Sequence, residues 1–220
     1  MKYIRIREMN YFLQTTQEEL ANIMIHAFGV VLGCIGVPVL ISIALQHDKT
    51  NDIISTCVYG FGFLMTFTFS TLYHSCCKEK TKHILLIMDH ISIYFLIAGT
   101  YTPFVLNYMH NEGGLFLLII VWLCTLAGIF FKIFFKDKYI IASVAFYLFM
   151  GLLFLLKCQL FFASMPYIVG LLIVIGVLLY IIGVVFFLWR KWRYHHAIWH
   201  AFVLLAGLCH FTAVALTIAP

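Results

Sequence analysis

A chain of 220 residues that is 64% hydrophobic and only 10% charged lies far outside the range of water-soluble globular proteins, and its mean hydropathy of +1.02 says the same. The net charge of +5, from 14 Lys and Arg against 9 Asp and Glu, is a signal of topology and of contact with anionic lipid at a cytoplasmic face; it is no evidence for nucleic acid.

Seven apolar stretches are predicted as spans, near 20–45, 53–77, 83–106, 114–131, 139–156, 167–189 and 196–218. Each has roughly 18 to 25 residues, enough to cross a hydrocarbon core about 30 Å thick. Backbone groups left unpaired in lipid are too costly, and the stretches are too long for barrel strands, so they are read as α-helices. The connections, such as "QHDKTND", "KEKTK" and "RKWRYH", leave no room for a soluble domain. The expected fold is an all-α seven-transmembrane helix bundle over residues 19–220, preceded by a short cytoplasmic tail at 1–18.

The first span opens with "TQEELANIMIH". Thr16 with Glu19 three residues on reads as a capping box, and acidic residues in a first turn complement the helix dipole. Asn22 and His26 follow Glu19 at i+3 and i+7, a polar stripe that either faces a site or only dresses the helix entry. This span is too long for a signal-peptide core, so no cleavable leader is expected.

The second span ends in "STLYHSCC", with Ser70 one turn above His74 on the same face. Cys76 and Cys77 are expected to be thiols in a reducing compartment. The third span carries Asp89, the one acidic residue read as lying well inside a helix; Gly99 eases close packing there, and Pro103 is expected to kink or end it. The seventh span begins "HHAIWHAFV", and His196 and His200, four apart, project from one helix face about 6 Å from each other.

Positive residues stay on the cytoplasmic side of short loops. With the N-terminus inside, the inner segments hold Lys2, Arg5, Arg7, Lys78, Lys80, Lys82, Lys132, Lys136, Lys138, Arg190, Lys191 and Arg193, leaving only Lys49 and Lys157 outside. This alternation predicts seven helices with the C-terminus outside, in a cell (inner, cytoplasmic) membrane. His74 then lies in the last inner turn of the second span, Asp89 about 9 Å into the third from its cytoplasmic start at His83, and His196 and His200 in the first two turns of the seventh.

Three histidines and a carboxylate at one depth form a metal-site inventory, and Zn²⁺ is its natural occupant, since imidazole suits it. Three neutral ligands leave a fourth position for water, with Asp89 as general base and Ser70 as hydrogen-bond donor to the carboxylate or to a developing oxyanion. A structural reading stands beside this one: an intramembrane histidine often only bonds between helices, and Ser70 can bond back to a carbonyl one turn away. His195, His83 and His90 are placed near the interface, His47 and His110 in outer loops, and His210 about 15 Å deeper than His200 as a packing or proton-path residue.

The segments "EELANIMIHAFG", "STLYH", "MDHISIYFLIAGTYTP" and "HHAIWHAFVLLAGLCHF", in this order, resemble the hemolysin III family, the bacterial branch of the progestin and adipoQ receptor superfamily. The resemblance covers nearly the whole chain. It implies a seven-helix fold with the N-terminus in the cytoplasm, zinc held at His74, His196 and His200, Asp89 interacting through water, and Ser70 beside it. It also implies kinship with adiponectin receptors and alkaline ceramidases, for which hydrolysis of a lipid amide is the proposed chemistry, while the family name records cell lysis.

Three functions follow as expectations: a zinc-dependent hydrolase of a lipid amide or ester, a pore-forming cytolytic protein, or a non-catalytic zinc-stabilised membrane sensor or receptor. A retinal protein is set aside because no lysine lies in the seventh span to form a Schiff base.

Overall fold

The computed structural model describes residues 14–46, 49–109, 112–135 and 138–219. Lys2, Arg5, Arg7, Lys136, His47, His110 and most of the N-terminal tail lie outside the described residues.

Seven helices among the described residues are long and apolar enough to cross a membrane. The first four are Thr16–Gln46, Thr50–Ser75, Glu79–Tyr108 and Glu112–Phe135. The fifth span is composite, Ile140–Ala163, and the sixth and seventh are Tyr167–Leu188 and His195–Ile218. Neighbours in sequence pack side by side, and the seventh helix closes the bundle against the first. The third helix packs on the second, fourth, fifth and seventh.

The outer surface inverts the soluble pattern. Met24, Ile35, Phe116, Ile141 and Leu156 are 62 to 69% exposed, whereas Asn22, Ser55, Ser70, Ser92 and Thr125 are fully buried. Such an apolar exterior is stable only against lipid, so the chain is a multi-pass membrane protein.

Close approach between the second and third helices depends on two glycines. A Cβ at Gly62 would sit 2.6 Å from the Phe95 carbonyl oxygen, and one at Gly99 would sit 3.1 Å from that of Val58. Backbone on both sides leaves nothing flexible to yield. Gly62→Ala is therefore expected to destabilise the detergent-solubilised protein by about 1–3 kcal/mol, the cost typical of overpacking, read as a lowered thermal midpoint.

Among the boundaries that differ from the sequence reading, three bear on residues named above. The third helix runs through Pro103 to Tyr108, so the proline does not end it. The fourth continues past residue 131 to Phe135, which carries Lys132 out of the predicted loop and into the helix, where it is fully buried. The fifth span extends to Ala163 and is broken: an α-helix over Ile140–Gly151, a 3₁₀ turn over Leu153–Lys157, and a short α-helix over Cys158–Ala163. Lys157 thus lies within the span.

The break frees backbone groups, and Tyr101 on the third helix satisfies them. Its hydroxyl lies 3.0 Å and 3.1 Å from the Met150 and Gly151 carbonyls, to which it donates, and it accepts the Phe154 N–H at 3.0 Å. One side chain thereby makes non-helical backbone tolerable at membrane depth.

Candidate metal centre

The capping box at the start of the first helix is formed one residue earlier than the sequence reading placed it. Glu18 Oε2 accepts the Thr15 backbone N–H at 2.9 Å and the Thr15 hydroxyl at 2.8 Å, while Glu18 N–H donates to Thr15 Oγ1 at 3.3 Å. Glu19 is not needed for the cap and turns inward. Its Oε2 lies 2.5 Å from His74 Nδ1, and its Oε1 accepts Lys82 Nζ at 2.6 Å. The polar stripe of the first helix faces the site.

Glu18 has a second partner. Its Oε1 accepts the Tyr194 backbone N–H at 3.2 Å, and Gln17 accepts Arg193 Nη2 at 2.8 Å. Tyr194 has φ 59°, the left-handed region that a tyrosine enters only when its surroundings hold it there. This residue immediately precedes the helix bearing His196 and His200, so the first turn of the first helix fixes where that helix begins.

The three predicted ligands converge. The candidate ligand atoms of His74, His196 and His200 all lie within 4.8 Å of one another, and His74 Nε2 is 3.0 Å from His200 Nε2. A tetrahedral ion with nitrogens at 2.0–2.1 Å separates its ligands by about 3.4 Å, so a small adjustment accommodates one. His74 and His200 are buried, which removes competing water.

Unpartnered polar atoms gather at the same place. Among the described residues, His200 Nδ1, both ring nitrogens of His26 and Ser70 Oγ are buried without a hydrogen-bond partner. The Ser70 case is informative because its neighbours behave otherwise: Thr66, Thr71 and Ser75 all return their hydroxyls to a carbonyl one turn back, at 2.7–2.9 Å. Ser70 does not bond back, so that structural alternative fails. His26 stands edge-on to His200 with ring centroids 4.0 Å apart. Convergent imidazoles, a carboxylate behind one of them and orphaned polar atoms around them fit a bound metal ion.

Asp89 and Ser70 line the interior cavity onto which His196 and His200 open. This cavity runs from His196 and His200, past Leu96 and Phe104, to Phe154, Ile173 and His210. His210 also lines it, with Nε2 3.3 Å from the Ile173 carbonyl and its ring packed against Gly176. A second, more polar basin is lined by Glu18, Arg190, Lys191, Arg193 and Tyr194. The two share Asp89, His90, Phe187 and His196, so among the three candidate ligands His196 stands at the junction of an apolar and a polar compartment.

Sequence reasoning missed Lys132 as a lining residue. Its Nζ lies 3.2 Å from Nδ1 of His90, which is buried in the cavity wall, and Tyr147 donates to the His90 carbonyl at 3.0 Å. The signal was the apolar "FFKIFF" around it, which continues a helix. Asp52, read as a loop residue, is also buried, in the first turn of the second helix. The seven cysteines are free, Cys76 and Cys77 included.

The Haemolysin-III related family model matches residues 14–211. The chain belongs to the hemolysin III family, within the progestin and adipoQ receptor superfamily. It is 42% identical over 200 residues to the Hemolysin-3 homolog of Bacillus subtilis (strain 168), covering 91% of this chain and 94% of that one. To Hemolysin-3 of Bacillus cereus it is 37% identical over 213 residues, 97% of each chain. The human Monocyte to macrophage differentiation factor is 32% identical over 212 residues, 91% of this chain and 84% of its own. All three comparisons span most of the bundle.

Proposed function

We propose that this hemolysin III family protein is a zinc-dependent hydrolase of an amide or ester bond in a membrane lipid, acting from the cytoplasmic side of the cell membrane. The observation that carries the reading is the convergence of His74, His196 and His200, with His196 on the boundary between an apolar cavity and a polar basin. A lipid has the same two-part character: its acyl chain suits the cavity walls of Leu96, Phe104 and Phe154, and its headgroup suits the basin beside Arg190, Lys191 and Arg193. The scissile carbonyl is then held at the boundary.

His74, His196 and His200 are the residues that would hold zinc. When bound there, zinc supplies a Lewis acid and makes a water molecule acidic enough to attack near neutral pH. Asp89 serves as the base that takes the proton from the attacking water and returns it to the leaving group. Ser70, whose hydroxyl has no other partner, donates a hydrogen bond to the carbonyl oxygen as negative charge develops on it. The apolar walls keep bulk water out and strengthen both contacts.

The net positive inner loops support an N-in orientation, with anionic lipid gathered around the cytoplasmic face. The testing experiment is metal analysis of the purified protein beside a hydrolysis screen of ceramides and other acyl lipids, wild type against His200→Ala. About one zinc per chain and fatty-acid release by the wild type alone are expected. Zinc-loaded protein that releases no fatty acid from any acyl lipid would favour the sensor reading. Lysis of erythrocytes by protein with all three histidines replaced would detach the lytic activity from this site.

A further inference from the structure

We infer that Glu19 is the positioning residue of the metal centre, holding His74 with its proton on Nδ1 so that Nε2 is the atom presented to the ion. The inference rests on the metal reading above and assigns a role to a first-helix carboxylate outside the ligand set.

An ionised carboxylate only accepts hydrogen bonds, so a 2.5 Å contact between Glu19 Oε2 and His74 Nδ1 requires the proton on that nitrogen. Asn22 Nδ2 lies 3.3 Å from the same nitrogen, and a ring N–H given to Glu19 leaves no lone pair there for it, so the shorter contact decides. Neutral imidazole carries one proton, and the remaining lone pair is on Nε2. That atom is 3.0 Å from His200 Nε2, at the point of convergence. Tautomer and direction agree.

Lys82 fixes the carboxylate in turn. Its ammonium donates 2.6 Å to the other oxygen, from the third helix, while the His74 side chain is 1% exposed and that of Glu19 is 19% exposed. One carboxylate therefore links the second helix, which carries the ligand, to the first and third. Capping does not explain the contact, because Glu18 performs it. A carboxylate or carbonyl behind a metal-ligating histidine typically sets its orientation and basicity, and its loss lowers metal affinity roughly 10- to 100-fold.

The test is zinc affinity by chelator competition on the purified full-length protein, with ¹⁵N-histidine spectra of its metal-free form, the His74 signal being assigned by its loss in His74→Gln. Wild type is expected to show the Nδ1–H tautomer at His74. Glu19→Gln and Glu19→Ala are expected to bind zinc roughly 10- to 100-fold more weakly, and Glu19→Ala to lose that tautomer preference. Lys82→Met, which removes the ion pair and keeps the carboxylate, should weaken binding less than either.

Unchanged affinity in both Glu19 variants, or a His74 tautomer with the proton on Nε2 in wild type, overturns the inference. So does a larger loss in Lys82→Met than in Glu19→Gln, since that marks a helix-to-helix ion pair. A wild-type protein that takes up no zinc defeats the preceding reading instead, and the tautomer in metal-free protein still decides the Glu19–His74 pairing.

Discussion

Replacing His200 with alanine is expected to reduce zinc content from about one ion per chain to near zero and to abolish lipid hydrolysis. His200 lies on the second turn of its helix, is 3% exposed, and faces His74 Nε2 at 3.0 Å. Alanine cannot reach across that gap, and two histidines alone no longer enclose an ion. The thermal consequence separates loss of metal from loss of fold. Zinc at 1,000 times its dissociation constant stabilises the folded state by about 4 kcal/mol, and the variant should lack this increment. In chelator the two proteins should melt within a few degrees of each other, because removing the ring also removes its buried, unsatisfied Nδ1, which offsets the lost packing. A variant that melts far below wild type even in chelator would mark His200 as a packing residue. A variant that retains stoichiometric zinc would remove it from the ligand set.

Much of this centre is legible in the chain because membrane helices obey one simple metric. The rise per residue and the alternation of Lys and Arg place His74, Asp89, His196 and His200 at one depth, and three of these meet in the structure. Rotation about the helix axis is less legible. The first helix is apolar nearly all round, so hydrophobic periodicity does not say which neighbour its Glu19, Asn22 and His26 address; contact with His74 and His200 decides it. The cap register was ambiguous by one residue, since Thr15–Glu18 and Thr16–Glu19 fit the same spacing, and only the first leaves Glu19 for His74.

The fifth span illustrates a different limit. Its change from α to 3₁₀ beyond Gly151 involves no proline, and it is tolerated because a tyrosine fifty residues away satisfies the freed carbonyls. Such compensation is a tertiary fact that local propensity does not encode. Lys132 is similar. A lysine among phenylalanines reads as a loop marker until His90 on another helix is found beside its ammonium.

Substituting Asp89 with alanine is expected to lower the turnover number for lipid hydrolysis by roughly 10²- to 10⁴-fold, the usual contribution of a positioned acid–base group, while zinc content stays at the wild-type level. Asp89 lines both the apolar cavity and the polar basin, and none of the three candidate ligands needs it to complete the set. Metal content and activity should therefore part company at this residue, whereas at His200 they fall together. Asn at the same position is the sharper probe, since it keeps the size of the side chain and removes its basicity; an Asp89→Asn variant with full turnover would exclude the residue as the base. Ser70→Ala extends the comparison. Its hydroxyl is buried with no partner, so deleting it removes a desolvation cost and should leave stability equal or slightly higher. Its turnover should nevertheless fall, by about 10²- to 10³-fold if the hydroxyl meets the developing oxyanion as a preorganised donor. Stability and activity moving in opposite directions on loss of one hydroxyl is a signature that a purely structural serine does not produce.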